Sequence, residues 1–304
     1  MKTLLFLYNP HAGKGQVGAH LATILDAFSK AGWLITVHPT QGPTDATAVA
    51  ADLGGSFERI VCCGGDGTLH EVVTGLMALE HRPDIGYIPA GSTNDFARNL
   101  SLPRGFAALA ATAAAGVPLP VDIGRFNDCF FVYVAAFGAF TDVSYDTPQP
   151  FKNMFGHLAY VLEGMTRLGS IQSYHLQVEY DGGQLEGDYI FGMVSNTVSV
   201  GGLKSPASAG VKLDDGIFEL VLIQKPTSPT QLQHIIKSLL QMTQDGSGMV
   251  SSLRASRLKI LCTQPLPWTL DGEYGGAPKL ADIENYKHAV TIVHGSPPKP
   301  TDRS

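Results

Sequence analysis

Through roughly the first 120 residues, short apolar runs of strand length alternate with apolar positions at helical spacing. Leu4–Tyr8 is one such run, and Leu21, Ile24, Leu25 and Phe28 then recur at helical spacing until Gly32 stops the pattern. Trp33–Val37, Arg59–Cys63 and Ile85–Ile88 read as further strands. Helices are predicted over Thr44–Leu53, Thr68–Leu79, Ser92–Leu100 and Phe106–Ala115, the first opened by Thr44 and Asp45. Strand and helix alternating at this interval imply right-handed crossovers and a doubly wound parallel sheet.

After Pro120 the pattern changes. Val121–Arg125, Phe130–Phe137, Tyr174–Tyr180, Tyr189–Val194, Phe218–Ile223, Leu253–Leu261 and Ala289–Val293 are strand-like, with Gly, Asp and Asn between several of them. One helix is predicted over Lys152–Leu168, with Met154, Phe155, Leu158, Val161, Leu162 and Met165 on its apolar side. Another starts at Ser228-Pro229, a cap followed by proline in the first turn, and carries Leu232, Ile235, Ile236, Leu239 and Leu240. Many short strands of this kind predict an antiparallel, sandwich-like second domain. The tail Pro297–Ser304 is polar and rich in proline.

A chain of 304 residues with 44% apolar and 16% charged positions has the material for two cores and no disorder signature. Its net charge of −6 argues against a protein that coats nucleic acid. Four cysteines, none in a CxxC pair, make no disulfide framework. The apolar run near Met1 meets Asn9-Pro10 too soon for a signal peptide, and Phe130–Phe140 is about half the ~20 residues that a membrane span needs. The expectation is a soluble, cytoplasmic protein.

Gly64-Gly65-Asp66-Gly67-Thr68 lies between a predicted strand and helix. Glycines let the backbone turn tightly and approach a ligand, and exposed N–H groups at a helix start favour an anion. Asp66 within such a loop implies a cation beside the phosphate. Gly13-x-Gly15-x-x-Gly18 matches the dinucleotide fingerprint literally, but Val37-His38-Pro39-Thr40 supplies no ribose-binding acid, so an oxidoreductase is disfavoured. Gly13-Lys14-Gly15 also lacks Walker A spacing. Pro89-Ala90-Gly91-Ser92-Thr93-Asn94-Asp95-Phe96-Ala97-Arg98 forms a second loop on the same carboxyl edge, where Ser92 or Thr93 could cap a helix. Asp214-Asp215-Gly216 and Asp271-Gly272-Glu273 read, each alone, as surface turns. His70-Glu71 fails the HExxH zinc pattern because position 74 is Thr.

Taken in chain order, these segments resemble the diacylglycerol kinase catalytic family in its compact bacterial form. The resemblance rests on Asn9-Pro10-x-Ala12-Gly13, the Gly64–Thr68 loop, Pro89-x-Gly91-Ser92-x-Asn94-Asp95-Phe96-Ala97 and Gly156-x-Leu158-Ala159-Tyr160. Asn196, Asp214-Asp215-Gly216 and Asp271-Gly272-Glu273 complete it. Ser92 stands where the family usually has threonine, and His70 where asparagine is frequent.

The resemblance implies an α/β nucleotide-binding domain over residues 1–122 and a β-sandwich lipid-substrate domain over 123–294, with ATP and Mg2+ in the cleft between them. Residues 295–304 are then a polar tail, whose return to the first domain is left open. It implies nucleotide contacts by Asn9, Thr40, Gly64, Gly65, Asp66, Gly67, Thr68, Leu69, His70, Glu71 and Ser92. Glu273 would be the general base, Asp66 and Asp122 would organise the catalytic magnesium, and Asp215 with the carbonyls of Lys212 and Ile217 would hold a structural magnesium. Lys14, Arg98 and Lys152 are candidate phosphate or headgroup contacts.

The reaction implied is transfer of the γ-phosphoryl group of ATP to a lipid hydroxyl. Diacylglycerol is the default acceptor; a sphingoid base, phosphatidylglycerol or, in a different enzyme class, NAD is the alternative. A nucleotide-binding regulator is disfavoured by the presence of Glu273. The helix at Lys152–Leu168, with Phe151, Met154 and Phe155 at its start, is the candidate gate to a lipid slot. The partner expected is a membrane lipid met in transient peripheral contact, with no nucleic acid; a homodimer is compatible with this reading.

Overall fold

Four parallel strands build the first sheet, in the order β2 (Trp33–Pro39), β1 (Lys2–Tyr8), β3 (Arg59–Gly64) and β4 (Asp84–Pro89). The protein is described by a computed structural model that covers residues 1–138, 162, 171–196, 199–200, 203–204, 212–241 and 248–295. It divides into two units, Met1–Val121 with His288–Ser304, and Asp122–Lys287. The predicted helix over Lys152–Leu168, its Gly156–Tyr160 motif and the tail Pro297–Ser304 lie outside the described residues, apart from Leu162, which is helical and buried.

In the first unit, alternate side chains of the strands bury opposite faces of the sheet. Leu4, Phe6, Val61, Cys63 and Ile88 share a core with Val17, Ile24 and Phe28 of α1 (Gln16–Lys30) and with Leu109, Ala110 and Ala113 of α4 (Phe106–Ala115). Gly86 admits α4 closely, since a Cβ there would stand 2.8 Å from the Ala113 methyl. On α3 (Asp66–Leu76), Leu69, Val72, Val73 and Leu76 are buried, and Gly75 allows contact with α2 (Asp45–Leu53), where a Cβ would lie 2.3 Å from the Thr47 carbonyl. Ile292 and Val293 also join this sheet, pairing in parallel with Ile85 and Gly86.

The second unit is antiparallel. Its strands are β5 (Val117–Phe126, whose first five residues belong to the first unit), β6 (Cys129–Phe131), β7 (Val134–Gly138), β8 (Tyr174–Tyr180) and β9 (Gly183–Ser195). The short pair β10 (Ser199–Val200) and β11 (Leu203–Lys204) follows, then β12 (Phe218–Gln224), β13 (Val250–Ala255) and β14 (Arg257–Cys262). β15 (Trp268–Leu270), β16 (Glu273–Tyr274) and β17 (Leu280–His294, whose residues from His288 on belong to the first unit) complete it. β9 is the organiser, pairing with β7, β8 and β12 along its length. Trp268 sits at the centre of the core, with ring centroids 5.0 Å from Phe126 and 4.8 Å from Phe137. Helix α5 (Pro229–Gln241) has Ser228 as cap: its Oγ accepts the Gln231 N–H at 3.2 Å, while Gln231 Oε1 accepts the Thr227 N–H at 2.7 Å.

A parallel α/β sheet followed by antiparallel strands is the architecture that the alternation of apolar runs predicts. Several elements differ in detail. Phe130–Phe137 is two strands broken at Val132-Tyr133, and Leu253–Leu261 is two strands broken at Ser256. The helix predicted over Ser92–Leu100 is only a 3-10 turn at Phe96–Asn99, so neither Ser92 nor Thr93 caps it. The terminal strand runs from Leu280 and not from Ala289, and the β15–β16 hairpin is an addition to the predicted elements.

Candidate active site

All four strands of the first sheet point their carboxyl ends the same way, so the loops that follow them share one edge. Backbone bonds knit these loops together. Asn9 N–H donates to the Cys63 carbonyl at 2.9 Å, Thr40 N–H to the Tyr8 carbonyl at 2.9 Å, and Ala90 N–H to the Gly64 carbonyl at 2.8 Å. Side chains lock them further. The Asp66 carboxylate accepts N–H groups from Asp95 at 2.9 Å and Phe96 at 3.2 Å, and Asn94 closes its own turn with two bonds to Gly91 at 2.9 and 2.8 Å. This capture of two N–H groups, together with the left-handed Asn94 (φ 52°), stops the backbone from continuing as the predicted helix.

Glycine is required where the loops touch. A Cβ on Gly91 would lie 2.6 Å from the Gly65 Cα, and one on Gly13 would lie 2.3 Å from the Ala90 carbonyl oxygen at a φ of +57°. Gly64 leaves room for Thr68, whose Oγ1 would stand 2.4 Å from an added Cβ, so the threonine folds back over the loop. In Gly91→Ala the methyl group has only backbone and Asn94 to displace. We expect the two loops to be pushed apart, read as faster amide hydrogen exchange over residues 64–68 and 91–96, with the fold retained.

Not every residue of the predicted nucleotide set faces outward. Leu69 is 1% exposed and belongs to the core, which leaves only its backbone for a ligand. Glu71 spends its carboxylate on the start of α2, accepting N–H groups from Thr44 at 3.0 Å and Ala46 at 3.2 Å. Ser92 is exposed, while Asn9, Thr40, Gly67 and His70 are half-buried at the loop edge; Asn9 Oδ1 accepts the His11 N–H at 2.9 Å. Sequence reasoning passes over Asp95 as a separate group. Its side chain is buried beside the Asp66-bonded backbone and lies 3.7 Å from Arg98, which directs that arginine to the loop. The Lys14 side chain and Lys152 lie outside the described residues.

Electrostatics separate the groups that could react from those that hold the frame. Burial, followed by the nearby Asp66 carboxylate, pushes the Tyr87 hydroxyl well above its ordinary range, and burial pushes the Cys63 thiol up to about 12. Cys62 is likewise raised by burial, so both adjacent thiols are inert core groups. At the Thr40 loop, Asp45 Oδ2 lies 2.9 Å from His38 Nε2 and accepts the Gln41 N–H at 2.9 Å. The His38 bond, then the Gln41 N–H, hold Asp45 below its ordinary pKa. A depressed carboxylate stabilises the fold at neutral pH and loses that contribution as pH falls through its folded value. Melting curves should therefore show wild type and Asp45→Asn converging below about pH 4, with wild type the more stable above it.

The acidic residues of the second unit have distinct jobs. Asp122 is fully buried and its Oδ2 accepts the Gly216 N–H at 2.6 Å; its own N–H donates to the Leu213 carbonyl at 2.7 Å, and its carbonyl accepts Asn196 Nδ2 at 2.7 Å. It thus shapes the Asp214-Asp215-Gly216 turn, where Gly216 takes a φ of +81°. Asp215 accepts the Ile217 N–H at 3.1 Å and an Arg254 Nη2 bond at 2.5 Å. Arg254 also lies 3.3 Å from Glu219, which burial pushes up to about 7 against the pull of the arginine. A carboxylate with the carbonyls of Lys212 and Ile217 is an all-oxygen donor set, the chemistry magnesium prefers, and Arg254 must turn aside for the outer Asp215 oxygen to serve an ion. Among the described residues, no cluster of three or more His, Cys, Asp or Glu side chains forms a metal site.

Glu273 and Asp271 sit on one hairpin. Leu270 pairs with Glu273 across Asp271 (φ 51°) and Gly272 (φ 95°), the paired positive φ values of a type I′ turn. Glu273 is exposed, whereas Asp271, which the sequence reads as a surface turn residue, is 5% exposed. Among the described residues, no helix is long and apolar enough to cross a membrane.

Comparison with known proteins places these features in a family. The model of the diacylglycerol kinase catalytic domain matches residues 3–126, and that of the YegS C-terminal NAD kinase beta sandwich-like domain matches residues 139–293. A diacylglycerol kinase of Bacillus subtilis (strain 168) is 36% identical over 295 residues, which span 96% of this chain and 97% of that protein. A diacylglycerol kinase of Staphylococcus carnosus (strain TM300) is 34% identical over 276 residues, 90% of either chain. A solved structure of a diacylglycerol kinase from Bacillus anthracis str. Sterne shares the fold, with a TM-score of 0.75, 24% identity and 97% coverage of both chains.

Proposed function

Since the chain belongs to the diacylglycerol kinase family and is a lipid kinase, we propose that it transfers the γ-phosphoryl group of ATP to the hydroxyl of diacylglycerol, giving phosphatidic acid. The single observation that carries this reading is the pairing of the Asp66 carboxylate with the Asp95 and Phe96 N–H groups. It ties two glycine-bearing loops to one another at the carboxyl edge of the parallel sheet, where such folds take their ligands.

Phosphoryl transfer asks a protein for positioning and charge neutralisation more than for covalent chemistry. The backbone N–H groups of Gly65–Thr68 and the start of α3 receive the phosphate tail, with Asn9, Thr40, His70 and Ser92 at its edges. Asp66 is the carboxylate suited to a magnesium ion carried with ATP, and Asp215, Lys212 and Ile217 suit a second, structural one. Bound magnesium supplies charge neutralisation of the phosphates. Glu273 accepts the proton of the lipid hydroxyl as its oxygen attacks the γ-phosphorus. The bond from that phosphorus to the bridging oxygen breaks, and ADP leaves with the electron pair. The acceptor is drawn from a membrane in transient contact, which suits a chain of net charge −6.

The test offers labelled ATP with diacylglycerol, a sphingoid base, phosphatidylglycerol and NAD side by side. Label in phosphatidic acid is the expected result; label in NAD alone would end this reading.

A further inference from the structure

We propose that Asp271 is a positioning residue for Glu273, fixing the hairpin tip that carries the base by filling a nest of backbone N–H groups at Val132–Val134. The inference rests on the assignment of Glu273 as general base. Asp271 Oδ2 accepts the Val132 N–H at 2.6 Å, and Oδ1 accepts those of Tyr133 at 2.9 Å and Val134 at 3.1 Å. Its own N–H donates to the Val134 carbonyl at 2.8 Å. Residue 271 is therefore held at four points to the connection between β6 and β7, across 137 to 139 positions of sequence.

Three consecutive N–H groups converging on one site form a concavity that binds an anion, and an ionised carboxylate is the side chain that offers acceptors alone. Asparagine fails there for a definite reason. One of its termini is a donor, and at the 2.6 or 2.9 Å positions it would meet another N–H head-on. Nothing in an ordinary I′ turn requires this arrangement, since asparagine or aspartate at its first central position serves without long-range bonds. The staple instead specifies where the next-but-one residue, Glu273, is presented.

A general base must lie within hydrogen-bond reach of its proton, and a shift of about 1 Å can cost ~10²-fold in rate. In the full-length chain, D271N should lower kcat about 10²-fold while leaving KM for ATP within about twofold. It should also speed amide hydrogen exchange in peptides spanning residues 130–136 and 268–276. The deciding readout is the double variant D271N/E273Q. If Asp271 acts through Glu273, the pair is no slower than E273Q alone. Wild-type kcat in D271N overturns the inference, and so does a double variant slowed by the full D271N factor beyond E273Q. Should D271N not fold, D271E keeps both acceptor oxygens and carries the same cycle. Wild-type turnover in E273Q would instead overturn the base assignment itself, whatever D271N does.

Discussion

Glu273→Gln should lose ~10²–10⁴-fold in kcat while binding ATP as tightly as wild type. A lipid hydroxyl is a weak nucleophile at neutral pH, and a carboxylate that accepts its proton during attack supplies a gain of that size. Glutamine keeps the length and shape of the side chain and removes only its basicity. Glu273 is exposed at the tip of a two-residue strand, so its replacement leaves no buried group unsatisfied and should hardly move the melting temperature. The glycine loops belong to the first unit and Glu273 to the second. A loss of turnover with unchanged calorimetric ATP affinity is the expected pattern; equal losses in both would make Glu273 a binding group.

Asp66→Ala should be more damaging still, abolishing detectable turnover and ATP binding together. The carboxylate holds two backbone N–H groups of the second loop. Leaving each of them without an acceptor in a part-buried position costs about 1–3 kcal/mol. That is enough to release the Phe96–Asn99 turn from the Gly64–Thr68 loop, and the charge suited to an accompanying cation disappears with it. Asp66→Asn separates these effects. One amide oxygen can still accept an N–H, so part of the ATP affinity should survive while turnover stays lost. Calorimetric titration with ATP in the presence and absence of magnesium distinguishes the two variants.

Much of this architecture is written locally. Leu4–Tyr8, Arg59–Cys63 and the periodic apolar positions of α1 bury what their pattern predicts, because each element has one face or run committed to the sheet. The elements that differ are those decided by distant side chains. Phe130–Phe137 breaks at Val132-Tyr133 because Asp271, more than 130 residues on, claims their N–H groups. Leu253–Leu261 breaks at Ser256 because Asp181 accepts the N–H groups of Ser256 and Arg257. The β15–β16 hairpin has strands too short for any period to show, and Pro265 and Pro267 precede it. The long terminal strand is disguised by exposed Tyr286-Lys287 and by His288 at a φ of +54°.

The site is legible to a similar degree. Gly64–Thr68 identifies itself, because glycines at a strand-to-helix turn with an acid among them have a phosphate-binding logic of their own. The burial of Leu69, the engagement of Glu71 by α2 and the role of Asp122 in shaping the Asp215 turn depend on which faces pack, and a single sequence does not state that.

The most direct test is a single turnover, with enzyme in excess over γ-labelled ATP and diacylglycerol present in mixed micelles. Phosphatidic acid should carry the label at one phosphate per ATP consumed for the wild type, and remain unlabelled over the same interval for Glu273→Gln. Label released as inorganic phosphate, or transferred to lipid equally fast by both proteins, would contradict the account.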